Sequence, residues 1–260
     1  MTRRINIKSS HTPARDGHTA WFALPLGEHL LDREQEILEG ILPDLFGYHY
    51  LQLGLLAGER FLGSTKITHK VRVRLDGESA SNAGADLVCA PETLPVAADS
   101  IDVAVLPHVL EYCQNPHKVL REIERALIGE GHLVITGFNP WSLCGLWKLL
   151  LAWRGEPPWQ GRFFSYNRLK DWFTLLDLEV VRHERCFYRP PVMNTRILEK
   201  LRFLEKAGER FWPVFGGIYV IVVRKRVIPL TPIRDLWQKS RGMIDPGIAE
   251  PTTRSVSGPL

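Results

Sequence analysis

The chain has 260 residues, enough for one large domain with a sizeable core. Its 45% hydrophobic and 24% charged content excludes a disordered or collagen-like chain. The net charge of +4 sits at the two ends: residues 1–25 carry four basic and one acidic residue, and residues 224–260 seven and three, which leaves the middle net acidic.

Basic ends predict solvated arms, or contacts to a phosphate-rich partner such as RNA. The opening MTRRINIKSSHTPARDG has no apolar core, so no secretory leader is expected. No run of about 18 uncharged apolar residues predicts a spanning helix. The four cysteines, Cys89, Cys113, Cys144 and Cys186, form no CxxC pair, so reduced thiols and a cytoplasmic setting are expected.

In chain order, Leu30, Leu31, Ile37, Leu38, Ile41 and Leu42 share one helical face, predicting a helix over about Glu28–Leu42. Tyr48–Leu53 reads as a strand ending at Gly54. Lys70–Leu75 alternates Val71, Val73 and Leu75 with Arg72 and Arg74, a strand with one face open to water or a partner. Ala85–Cys89 is a third short run, and Ile101–Leu106 is continuous enough to be covered on both faces. His117–Leu127 is strongly helical, with Gly129–Gly131 closing it before a strand at His132–Thr136. Trp141–Trp153 is apolar almost all round apart from Ser142 and Lys148. Ser165 caps a helix over Tyr166–Leu176, and Leu178–Val181 and Tyr219–Val223 are the last strands.

Strands alternating with helices predict an α/β fold: a doubly wound, mostly parallel seven-stranded sheet, with an N-terminal helix and a helical insertion before the last strand. The expected organisation is a basic arm (1–25), the main domain (26–228) and a C-terminal tail (229–260).

The segment from Asp86 to Pro140 carries Leu94-Pro95-Val96, Asp99-Ser100-Ile101-Asp102, His108-Val109-Leu110-Glu111, Asn115-Pro116, Leu120, Glu122, Arg125, Leu127, Gly129, Gly131 and Leu133 in order. It resembles the middle of class I S-adenosylmethionine-dependent methyltransferases, type 11 in particular. The resemblance implies a Rossmann-like fold and S-adenosylmethionine as cofactor; the nine histidines show no metal-binding spacing, so no metal is expected.

It also implies a place for each contact. The glycine-rich turn falls on Gln52, Gly54, Leu56 and Gly58; against the family's D-x-G-x-G-x-G, the acid is Gln52 and the middle glycine Leu56. Asp76, with Glu78 as competitor, stands where a ribose-binding acid is expected, although Asp76-Gly77 also suits a tight turn. The acid that contacts adenine aligns with Cys89 or Ala90, which leaves Ala90, Pro91 and Glu92 to hold the ring. Leu106, Pro107 and His108 follow the fourth strand, where cofactor and acceptor meet. His108 is a weak candidate for a general base against a loop-positioning role. Asn139-Pro140 lines the acceptor site or simply starts a helix.

Two functional classes follow. One is methyl transfer to an unknown acceptor, either a small hydrophobic molecule or RNA. The other is a catalytically inactive binding module of the same fold, with RNA association through Arg3, Arg4, Arg72, Arg74, Arg224, Lys225 and Arg226 as a variant. Trp141–Trp153 packs beneath the insertion at 190–215 or, less favoured, covers the acceptor or rests on a membrane surface. No HExxH, P-loop or GxSxG is present, so zinc hydrolysis, P-loop phosphotransfer and serine hydrolysis have no support.

Overall fold

The structure, a computed structural model, describes residues 20–54, 60–76, 84–151, 158–192 and 194–227. Of the two basic ends only residues 20–25 and 224–227 are described: Trp21 and Phe22 are buried, not part of a solvated arm, and Arg224, Lys225 and Arg226 pair with Glu130, Glu179, Asp99 and Glu124. The rest of the ends, and the positions of Leu56, Gly58, Glu78 and Trp153, lie outside the described residues.

Seven strands form one sheet: β1 (His49–Leu53), β2 (His69–Leu75), β3 (Leu87–Cys89), β4 (Ile101–Pro107), β5 (Leu127–Phe138), β6 (Leu178–Cys186) and β7 (Ile218–Lys225). Their order is β3-β2-β1-β4-β5-β7-β6. The pairs β1–β2, β2–β3, β1–β4 and β4–β5 are parallel, and β7 runs antiparallel to both β5 and β6. Side chains alternate between two cores. Leu51, Leu53, Ala104, Leu106, Leu133 and Ile135 enter one; Tyr50, Val103, Val105, Val134 and Phe138 enter the other. Burial on both faces is why the central strands read as unbroken apolar runs.

Among the described residues, six helices accompany the sheet: α1 (Pro25–Glu39), α2 (Pro116–Ala126), α3 (Leu143–Leu151), α4 (Tyr166–Leu175), α5 (Thr195–Lys200) and α6 (Phe203–Phe211). Helix α1 starts three residues before the periodicity suggests, because Pro25 occupies its first turn, where a missing N–H costs nothing. It ends at Gly40, and Leu42 falls in a following 3₁₀ turn. Helix α2 buries Val119, Leu120 and Ile123 against the sheet, each worth about 1.5–3 kcal/mol of transfer free energy.

Three segments differ from the sequence expectation. Strand β5 begins at Leu127, because Gly129–Gly131 form a bulge and not a spacer. Pairing with β4 jumps from Ile101–Leu127 to Val103–His132, and Glu130 takes φ +64°. Strand β6 runs on to Cys186 through Arg182, His183, Glu184 and Arg185; it is an edge strand, so polar side chains are tolerated where they hide the strand pattern. Helix α3 is not buried all round. Leu143 adjoins Leu204, Trp212 and Phe215 of the insertion, but Leu146, Leu149 and Leu150 are exposed.

Half-buried Arg72 in β2 is explained locally: its N–H and Nε both donate to Asp86 Oδ2, at 2.8 and 3.3 Å. The four cysteines are free thiols. Among the described residues, no helix is long and apolar enough to cross a membrane.

Candidate functional site

The strand order reverses between β1 and β4, whose parallel carboxyl ends stand side by side. In such sheets ligands bind outside the carboxyl ends at that reversal. Continuing the β1–β4 register past Gln52–Val105 sets Gly54 level with Pro107. Continuing β2–β3 past Leu75–Cys89 sets Asp76 level with Ala90. Gln52, Gly54, Asp76, Ala90–Glu92 and Leu106–His108 are therefore gathered along one edge. The remaining two predicted contacts, Leu56 and Gly58, fall in the undescribed part of the turn.

Gly54 has φ +80°, a region L side chains rarely adopt, and its N–H donates to Val73 O at 2.8 Å. The chain thus leaves β1 with bare backbone facing the edge. Gln52 is buried and its Nε2 donates to Gly54 O at 3.4 Å, so the amide braces the turn. Asp76 is exposed, and its N–H donates to Cys89 O at 3.0 Å, which places the carboxylate just beyond the β2–β3 pairing. Pro91 is buried, with Ala90 and Glu92 half-buried beside it. Burial, reinforced by Asp76 and Glu122, pushes the Cys89 thiol up to about 11, so it stays neutral and cannot replace the family's adenine acid.

The end of β4 is built differently. His108 has φ +52°, and its N–H donates to Thr136 O at 3.1 Å. Its ring is fully buried between two carboxylates. Nδ1 lies 3.0 Å from Glu111 Oε2, and Nε2 lies 2.5 Å from Glu34 Oε1. Glu34 comes from α1 and also accepts from Thr136 Oγ1 at 3.4 Å. Glu111 also accepts from the N–H of Phe138. Phe22 and Phe138 close over the imidazole, with ring centroids 5.0 and 4.5 Å away. Burial alone would lower the His108 pKa, but Glu34 and then Glu111 more than offset it and raise it to about 10. The ring is an imidazolium at neutral pH and fastens α1 to the ends of β4 and β5.

Sequence reasoning found His108 but missed Glu34. The signal was present: Glu34 stands four residues from both Leu30 and Leu38, inside the apolar stripe of its helix. A charged residue there must be paired. Asn139 is also placed. It is buried, its Nδ2 donates to Val214 O at 2.8 Å and Gly216 O at 3.0 Å, and its Oδ1 accepts from the Trp141 N–H at 3.1 Å. Its polar atoms join β5 to the turn before β7.

Comparison with known proteins supports the fold. A methyltransferase domain family matches residues 65–135. The Escherichia coli protein YafS is 34% identical over 229 residues, covering 85% of this chain and 87% of that protein. A SAM-dependent methyltransferase from Thermotoga maritima shares the fold with a TM-score of 0.58 at 19% identity, covering 80% of this chain and 93% of that one. Another, from Archaeoglobus fulgidus, has a TM-score of 0.52 at 18% identity, covering 75% and 94%.

Proposed function

The chain belongs to the class I S-adenosylmethionine-dependent methyltransferases, and on that premise we propose that it transfers a methyl group from S-adenosylmethionine to an acceptor held beside the ends of β4 and β5. The observation that carries this reading is the register, which gathers Gly54, Asp76, Ala90–Glu92 and Leu106–His108 at one edge of the strand reversal.

The residues present fit a nucleoside. Gly54 offers backbone without a Cβ, and the exposed Asp76 carboxylate can accept from ribose hydroxyls. Ala90, Pro91 and Glu92 would flank the adenine ring, and Leu106 and Pro107 would floor the site. When bound, the cofactor supplies a methyl carbon already activated on a sulfonium. The chain's task is then to align the acceptor and exclude water. His108 serves this by position. Both ring nitrogens carry protons that are donated to Glu34 and Glu111, so the imidazolium has no lone pair with which to deprotonate an acceptor.

The test is calorimetric titration of the full chain with S-adenosylmethionine and S-adenosylhomocysteine, alongside thermal unfolding. Ligand at 100 times its dissociation constant should stabilise the fold by about 2.7 kcal/mol. Asp76→Ala should weaken binding. A second reading, a catalytically silent binding module, is favoured by the absence of the family's acids at Gln52 and Cys89. No stabilisation by either ligand at millimolar concentration would select it.

A further inference from the structure

Beyond the end of β5 the surface turns apolar. Trp141 is 70% exposed, and along α3 the outward residues Leu143, Leu146, Leu149 and Leu150 recur at helical spacing, with Leu149 78% exposed. The only charged residue of α3, Lys148, is turned inward: its Nζ donates to Gly161 O and sits 4.2 Å from the centre of the Phe163 ring. Leu143 borders an apolar hollow of about 340 Å³ shared with Leu204, Trp212 and Phe215. Trp212 and Phe215 are themselves more than half exposed, at 57% and 54%. Asn139 ties Trp141 to the Val214–Gly216 backbone, so these residues belong to one surface. Single exposed leucines are ordinary, but a contiguous patch with two tryptophans marks a docking surface.

Charge says what it docks on. No acidic residue occurs between Glu130 and Glu156. In the insertion, all three acids, Glu199, Glu205 and Glu209, line a separate charged cleft against α1. Glu205 there pairs with Arg189 at 2.8 Å, and Glu209 lies 3.5 Å from Arg33. The charged residues of the insertion outside that cleft are Arg196, Lys200 and Arg210, all cations and all exposed. Exposed tryptophans and leucines, with the cation Arg210 next to Phe211 and Trp212 in the chain and the acids of the insertion turned into another cleft, are the chemistry of a headgroup–acyl boundary carrying negative charge.

We propose that α3, Trp141 and the Trp212–Phe215 turn rest on an anionic phospholipid bilayer as a peripheral contact. This docking does not depend on methyl transfer. It would set the bilayer beside the edge of the sheet where β5 ends.

The test is co-sedimentation of the full chain with vesicles of phosphatidylcholine alone, or mixed equally with phosphatidylglycerol. Binding should be about tenfold tighter to the mixed vesicles and weaken with salt. The double variant Leu149→Ser, Trp212→Ser changes only exposed side chains and should lose binding, with its circular dichroism unchanged. Leu175→Ser is the control. That side chain is also exposed, but it precedes the start of β6, at the opposite edge of the sheet. Indifference of the wild-type chain to mixed vesicles, or equal binding by the double variant, overturns the proposal. So does a wild-type dimer that the double variant dissociates while neither binds vesicles, which would make the patch a contact between copies.

Discussion

Replacing Glu34 with glutamine keeps the shape of the side chain and removes its charge from the buried cluster at His108. In the folded chain that imidazole is raised from 6.5 to about 10, with the opposing effect of burial already included. At about 1.36 kcal/mol per unit, that difference corresponds to about 5 kcal/mol of preference for the protonated ring in the folded state. Two carboxylates supply it, Glu34 the more strongly, so Glu34→Gln should cost about 2–3 kcal/mol at neutral pH. The sign with pH follows from linkage. A folded-state pKa above the unfolded value gives stability that is complete below pH 6.5 and is lost as pH rises towards about 10. Wild-type stability should therefore fall across that window, and the variant's should fall less, so the two curves converge at high pH. Urea unfolding of both proteins at points across the window measures this, and comparing the two chains cancels the titration of groups they share. A variant within about 0.5 kcal/mol of wild type at neutral pH, or a gap between the two that does not shrink with rising pH, would refute an imidazolium held by Glu34.

Other substitutions test other parts of the fold. Gly54→Ala must place a Cβ at φ +80° and should cost about 1–2 kcal/mol in thermal unfolding while weakening S-adenosylhomocysteine binding in the same samples. Leu120→Ala removes a fully buried contact of α2 and should cost about 2–5 kcal/mol in urea unfolding, with no specific effect on ligand affinity. Asn139→Ala leaves the buried carbonyl of Gly216, and the part-buried one of Val214, without their donor. It should cost about 1–3 kcal/mol and speed amide exchange in the turn before β7.

The sheet was legible in the sequence because its strands are covered on both faces, and an apolar run of the right length between turn residues leaves few alternatives. Ile101–Leu106 and Tyr219–Val223 fall within observed strands for that reason. Legibility failed where the solvent or a local backbone device intervened. The polar stretch after Val181 gives no strand signal because an edge strand need not be apolar. Gly129–Gly131 punctuates like a loop, yet it forms a bulge inside β5, since glycine permits both and only strand pairing decides between them. In α3, apolar composition is compatible both with packing beneath the insertion and with contact to something apolar outside the chain, because composition reports only the wish to avoid water and not what satisfies it; the outward leucines show that packing satisfies only part of it.

The same distinction separates what could and could not be read at the site. Along one strand end, spacing is geometry. Gly54 and Asp76 are joined by a parallel β1–β2 pair, and the short distance between them follows from register once both strands are recognised. The role of His108 is not local. Glu111 is three residues away and returns to the ring through its own turn, which a reader of the segment can anticipate. Glu34 lies 74 residues away and meets the ring only because α1 packs across the ends of β4 and β5. That one long-range contact decides between the two roles the isolated motif leaves to His108, general base or positioning: a ring buried between Glu34 and Glu111 favours positioning, and what it holds includes α1 as well as its own loop.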